Sequence, residues 1–212
     1  AGNHGLNSRF RASRAKPVTM YVSDFDQNGT VEQIVCCYNG DRQYPMCLRH
    51  DLVAALPGLK KKYLHYNEYK EQTMTDIFTA EQMAGSVKLD AYELRSCVFL
   101  NDGTGGFVKK ALPGEAQFSP VYGILPGDFD GDGKMDLLVG GNFYESKPEV
   151  GIYDASYGLL LKGDGQGGFV PVPAEKSGFF VKGAVRDIER VGDRVVVARN
   201  NDSVRTFLPL KK

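Results

Sequence analysis

Two short acidic, glycine-rich signatures alternate along this chain, and their alternation limits the fold more than any other feature. The first is Asp24-Phe25-Asp26-Gln27-Asn28-Gly29, which returns as Asp128-Phe129-Asp130-Gly131-Asp132-Gly133. The second is Asp102-Gly103-Thr104-Gly105-Gly106-Phe107, which returns as Asp164-Gly165-Gln166-Gly167-Gly168-Phe169. Weaker third copies stand at Asp187-Ile188-Glu189-Arg190-Val191-Gly192 and at Asp202-Ser203-Val204-Arg205-Thr206-Phe207. Such self-similarity marks a repeat architecture, in which one supersecondary unit recurs and neighbouring units bury each other's apolar faces. Asp128 and Asp164 lie 36 residues apart, whereas Asp24 and Asp102 lie 78 apart, so the first repeat carries an insertion of 42 residues. Asp187 and Asp202 are only 15 apart, which makes the last unit a shortened one.

Apolar runs follow the first signature at Val31–Val35, Met135–Val139 and Val195–Ala198. Others precede the second signature at Cys97–Leu100 and Gly158–Leu161. Short strands parted by Gly/Asp turns at this spacing fit one four-stranded blade per repeat. The 25 glycines and 10 prolines favour many turns over long helices. The expected fold is therefore mainly β: a partial β-propeller of about three antiparallel blades, with repeats near residues 18–113, 119–174 and 180–209. The insertion, near residues 45–86, has a different character. Leu52, Leu56, Leu59, Tyr63 and Tyr66 recur at helical spacing. Pro57-Gly58 breaks that stripe, and Thr79 with Gln82 three residues on forms a capping box. A stripe this apolar is expected to pack on the body of the protein. The Lys60-Lys61-Lys62 run reads as a solvated helix face.

The first signature has the chemistry of a hard-cation site. Oxygen-bearing side chains occupy positions 1, 3, 5 and 9 with glycine at position 6: Asp128, Asp130, Asp132, Gly133 and Asp136 in one loop. Asp24, Asp26, Asn28, Gly29 and Glu32 fill the same frame in the other. Calcium takes six to eight oxygens, and alternate residues of a tight loop can turn several of them inward. The backbone carbonyls of Thr30 and Lys134, at position 7, would complete the shell. Carboxylates packed this closely repel one another without a cation. An EF-hand loop opens similarly, but its bidentate Glu at position 12 is replaced by Val35 and Val139, and strand-like runs follow where a helix should exit. The third copy offers only Asp187 and Glu189 and is expected to hold no ion.

The alternation of D-x-D-x-[DN]-G-x-x-[DE] with a D-G-x-G-G-F turn resembles the FG-GAP/VCBS repeat, the blade of integrin-α-like propellers, and most of all the VCBS-repeat proteins that bacteria export. The resemblance runs over about Val18 to Phe207. It implies a calcium-stabilised, non-catalytic propeller working outside the cytoplasm, secreted, periplasmic or at a cell surface, in adhesion, scaffolding or binding of a protein or glycan ligand. The alternative it leaves is an accessory region of a larger secreted polysaccharide-active enzyme. About three blades do not close a ring. The chain thus reads as part of a longer protein, whose open edges pair in a homodimer or lie under the helical insertion.

The remaining features exclude more than they assert. Equal numbers of acidic and basic side chains, 26 each, leave no footprint for nucleic acid. No apolar run approaches a membrane span. Ala1-Gly2-Asn3-His4 reads as the start of a mature or cut-out chain. Cys36, Cys37, Cys47 and Cys97 lack zinc-site spacing and read as buried small hydrophobes, with one disulfide left open. Gly163-x-Gly165-x-x-Gly168 formally matches a dinucleotide fingerprint, but it leads into Phe169-Val170-Pro171, so it reads as a β-turn. No G-x-S-x-G or H-E-x-x-H motif occurs, and the clustered carboxylates belong to the metal loops. Asn28-Gly29-Thr30 and Asn201-Asp202-Ser203 match glycosylation sequons, the first discounted because a glycan would burden a metal ligand.

Overall fold

Each intact copy of the two glycine-rich signatures reverses the chain between two extended segments, and the resulting hairpins build much of the molecule. The computed structural model describes residues 1–209 and is mainly β. Contacts divide it into two units, Arg9–Glu93 and a second formed by Ala1–Ser8 with the chain from Leu94 onward.

In the Arg9–Glu93 unit, β1 (Val18–Ser23), β2 (Glu32–Asn39), β3 (Arg42–Pro45) and β4 (Val87–Ala91) form an antiparallel sheet ordered β3-β2-β1-β4. The inserted segment folds as α1 (Arg49–Ala55), a 3-10 turn at Pro57–Lys61, α2 (Tyr66–Tyr69), α3 (Met74–Ile77) and α4 (Ala80–Ala84). None of these helices exceeds seven residues, so packing rather than intrinsic helicity holds them. Leu52, Leu56, Tyr63, Tyr69, Met74, Ile77 and Phe78 are buried with Ile34 and Cys36 of β2 and with Phe25. Leu59 packs against the same cluster, and the Phe25 and Phe78 rings stack with centroids 4.2 Å apart. The helical stripe thus covers the sheet. Tyr66 departs from it: the ring is exposed and hydrogen-bonds His50 Nδ1 at 2.6 Å. The predicted capping box forms, Thr79 N–H donating to Gln82 Oε1 at 2.9 Å and Gln82 N–H to Thr79 Oγ1 at 3.3 Å.

The other unit contains the hairpin β5 (Cys97–Asn101) and β6 (Phe107–Ala111), then β7 (Val121–Gly127), β8 (Asp136–Gly141), β9 (Leu159–Gly163) and β10 (Phe169–Val172). Strands β7 to β10 form a four-stranded antiparallel meander in chain order. After α5 (Ala174–Ser177), β11 (Val185–Val191), β12 (Arg194–Arg199) and β13 (Arg205–Phe207) make a three-stranded meander. Strand alternation sends Leu138 and Val139 to opposite faces of the central meander. Leu138 packs with Leu125, Val185, Ile188, Val195 and Val197, while Val139 packs with Leu112, Ala116 and Leu161. Two glycines bring β11 close: a Cβ on Gly123 would sit 2.8 Å from Ile188 Cγ1, and one on Gly140 3.0 Å from Val185 Cγ1. The amino-terminal segment runs beside β5, with Ala1 and Cys97 exchanging two backbone hydrogen bonds of 2.7 and 3.0 Å.

Two findings differ from the repeat arithmetic. The strands of the first repeat fall into separate sheets, because β3 takes the edge of β2 and leaves β5 and β6 as a hairpin of the other unit. The third copy of the acidic signature is no loop: Asp187 to Val191 lie in β11, and Val191 pairs with Arg194 across a tight turn. All four cysteines are free thiols.

Candidate metal centres

The two acidic loops join equivalent strands, β1 to β2 and β7 to β8. In each, the position 1 aspartate folds the loop around its own carboxylate. Asp24 Oδ1 and Oδ2 accept the N–H groups of Asn28 at 3.0 Å and Gly29 at 2.8 Å. Asp128 Oδ1 and Oδ2 accept those of Gly131 at 2.7 Å and Gly133 at 2.9 Å. The position 5 oxygen accepts the N–H of position 7, from Thr30 to Asn28 at 2.7 Å and from Lys134 to Asp132 at 2.9 Å. The position 9 carboxylate accepts the N–H of position 2, from Phe25 to Glu32 at 3.1 Å and from Phe129 to Asp136 at 3.0 Å. Backbone conformation repeats as well. Positions 4 and 6 are left-handed in both loops, at Gln27 (φ 59°) and Gly29 (φ 87°), and at Gly131 and Gly133 (both φ 80°).

This frame gathers carboxylate oxygens. Asp24, Asp26 and Glu32 each offer one within 4.8 Å of the others, and so do Asp128, Asp130 and Asp136. Three converging anionic oxygens in a loop that exits into a strand suit a hard divalent cation. Position 5 is engaged by backbone in both loops, and Thr30 and Lys134 enter the frame through their N–H groups. Hydrogen bonds from backbone, above all from Gly133 N–H, hold the Asp128 carboxyl below its ordinary range. Asp132 is likewise lowered by the Lys134 N–H and by Lys162.

Sequence spacing gave no sign of two contributors to the second loop. Gly163 N–H donates to Asp136 Oδ1 at 2.8 Å, so this buried carboxylate has a bonded partner on each oxygen. Lys162 Nζ hydrogen-bonds Asp130 Oδ2 and lies 3.1 Å from Asp132 Oδ2, and these carboxylates hold its ammonium above its ordinary range. Both residues come from β9, whose register pairs Leu161 with Leu137 and so carries Lys162 opposite Asp136. That neighbour becomes visible only once β8 and β9 are paired.

The second signature is a hairpin staple. Asp102 Oδ1 accepts the N–H groups of Thr104 at 2.8 Å and Gly106 at 3.0 Å between β5 and β6. Asp164 Oδ1 accepts those of Gln166 at 2.6 Å and Gly168 at 2.9 Å between β9 and β10. A Cβ at Gly168 would come within 2.3 Å of the Asp164 carboxylate, which is why glycine stands there. The Gly163-x-Gly165-x-x-Gly168 run is thus a strand end and turn, with no helix behind it.

Fold and loops together define a mainly β repeat protein with paired acidic turns. Residues 74–139 match the family model of an FG-GAP-like repeat, a span holding one turn of the second signature and the whole second acidic loop. No curated protein and no solved structure matches the chain significantly.

Proposed function

We propose that the chain is a calcium-stabilised module of β-propeller type that acts outside the cytoplasm, holding a protein or glycan partner without chemistry of its own. The observation that carries this reading is the duplicate frame. Two loops 104 residues apart place oxygen-bearing side chains at the same positions 1, 3, 5 and 9, gather three carboxylates each and share the same left-handed positions. In each, Asp24, Asp26 and Glu32 or Asp128, Asp130 and Asp136 would hold the ion, with Asn28, Asp132 and the carbonyls of Thr30 and Lys134 as further oxygens. Bound calcium supplies positive charge that offsets the repulsion of these carboxylates. The stacking of β11 across β7 and β8 supports a blade-on-blade arrangement, as in a partial propeller. FG-GAP-like repeats are in general non-catalytic and extracellular, which supports the proposed role and place. No helix among the described residues is long and apolar enough to cross a membrane.

Differential scanning calorimetry of chelated and calcium-loaded protein tests the reading. A cation that binds only the folded loop stabilises by about 2.7 kcal/mol per site at one hundred times its dissociation constant. Asp130→Ala removes part of that gain, whereas Glu189→Ala, on a strand instead of a loop, leaves it intact. A melting temperature that chelator does not move would overturn the calcium role.

A further inference from the structure

The second loop looks the stronger by sequence, since it has four carboxylates where the first has three and an asparagine. Its surroundings reverse that order. Lys162 Nζ pairs with Asp130 and Asp132, and Lys134 Nζ lies 3.9 Å from Asp132. Among the described residues, two ammonium groups thus stand beside the carboxylates of this loop. In the first loop, position 5 is the uncharged Asn28 and position 7 is Thr30. Among the described residues no ion pair is formed by Asp24, Asp26 or Glu32. Three carboxylates there stand unneutralised.

We infer that Lys162 is an internal counter-cation of the second loop, which a divalent ion must displace from Asp130 and Asp132, so that the first loop is the tighter site. This rests on the calcium reading of both loops. The physical reason is competition for the same oxygens. An ion approaching Asp130 meets a carboxylate already paired, and a nearby ammonium repels it, whereas among the described residues no cationic side chain pairs with Asp26. Lys162 can yield, because its side chain is 45% exposed. It also lines, with Asp130, a cavity of about 580 Å³ whose walls include Phe129, Leu160, Phe179 and Phe207. The same ammonium steadies the metal-free loop, since it offsets repulsion among Asp128, Asp130 and Asp132. Lys162 thus trades affinity for stability without the ion.

Isothermal titration calorimetry with calcium chloride resolves the two sites when each is silenced in turn. Asp26→Ala leaves the second loop and Asp130→Ala leaves the first, and the first binds more tightly. Lys162→Gln in the Asp26→Ala background tightens the remaining site by about fivefold, the scale of an exposed ion pair. Lys162→Arg keeps it weak. Melting in chelator gives an independent readout: Lys162→Gln melts below the parent, and saturating calcium narrows or inverts the gap. Unchanged or weaker affinity in Lys162→Gln, or a tighter second loop in the parent, overturns the inference while leaving the calcium reading in place. Absence of calcium heat from every variant overturns both.

Discussion

The two acidic loops, one in each unit, share a backbone and differ in what surrounds it. The first is nearly self-contained: its hydrogen bonds run between residues at most seven apart, apart from Gln82 Nε2, which reaches Phe25 O at 2.5 Å from the helical segment. The second is tied into its sheet by Gly163 and Lys162, which stand 27 and 32 residues from the carboxylates they contact. One sequence pattern is therefore enough to fold the turn, and the strand beside it decides how firmly the turn is held and how much of its charge is left for an ion.

The two loops differ most at position 9. Asp136→Ala orphans two backbone N–H groups, Phe129 and Gly163, beneath a residue only 1% exposed. It is expected to cost about 3 kcal/mol, because a buried donor that loses its charged acceptor forfeits both the bond and its desolvation. Glu32→Ala removes one such bond, to Phe25, and is expected to cost about 1 kcal/mol. Urea denaturation in chelator measures both; equal costs would show that β9 adds nothing to the second loop.

At position 4 the loops share a conformation but differ in residue, and the expected effects are smaller. Gly131 and Gln27 occupy the same left-handed turn, and the space around Gly131 is open. Gly131→Ala therefore meets only backbone strain, about 1 kcal/mol. Gln27→Gly relieves that strain and is expected to stabilise by no more than about 0.5 kcal/mol, since glycine also loosens the unfolded chain. Denaturation midpoints of the two variants should move in opposite directions, and a shift in the same direction would deny that the loops share a conformation.

The smallest expected effect concerns acid. Backbone N–H bonds, from Thr104 to Asp102 and from Gln166 to Asp164, hold both carboxyls below their ordinary value of 3.8. A carboxyl lowered by folding contributes stability that is present above that value and fades as pH falls through the lower, folded one. Asp102→Asn and Asp164→Asn should therefore flatten the decline in melting temperature below about pH 4 and leave its slope near neutrality unchanged. A melting curve that loses slope near pH 7 instead would place the titrating groups elsewhere.

Burial governs the thiols in the same spirit as the loops. It pushes the Cys36 thiol up to about 12, with Cys47 and Cys37 adding to the shift. A thiol this far from ionising is inert packing. That agrees with reading Cys36 and Cys97 as buried small hydrophobes, whereas Cys37 and Cys47 are only half-buried, and the disulfide left open by sequence does not form in the structure.

Everything that closes within a few residues is legible in the chain before any strand is paired. The acidic loops and the Asp-stapled hairpins were legible because an Asp side chain meets N–H groups two to five positions on, and glycine marks each left-handed turn. The Thr79 box and the Leu52 to Tyr63 stripe were legible for the same reason, one from local hydrogen bonding and the other from helical period. Tertiary structure decided the rest. It placed β3 at the edge of β2 and left β5 and β6 in a sheet of their own, and it drew Asp187 and Glu189 into β11, where Val185 and Ile188 are buried against Leu125 and Leu138. It also set Lys162 beside Asp130. Each outcome depends on which strands pair and which faces are covered. That choice is made by the apolar surface buried across the whole unit, and no window of neighbouring residues contains it.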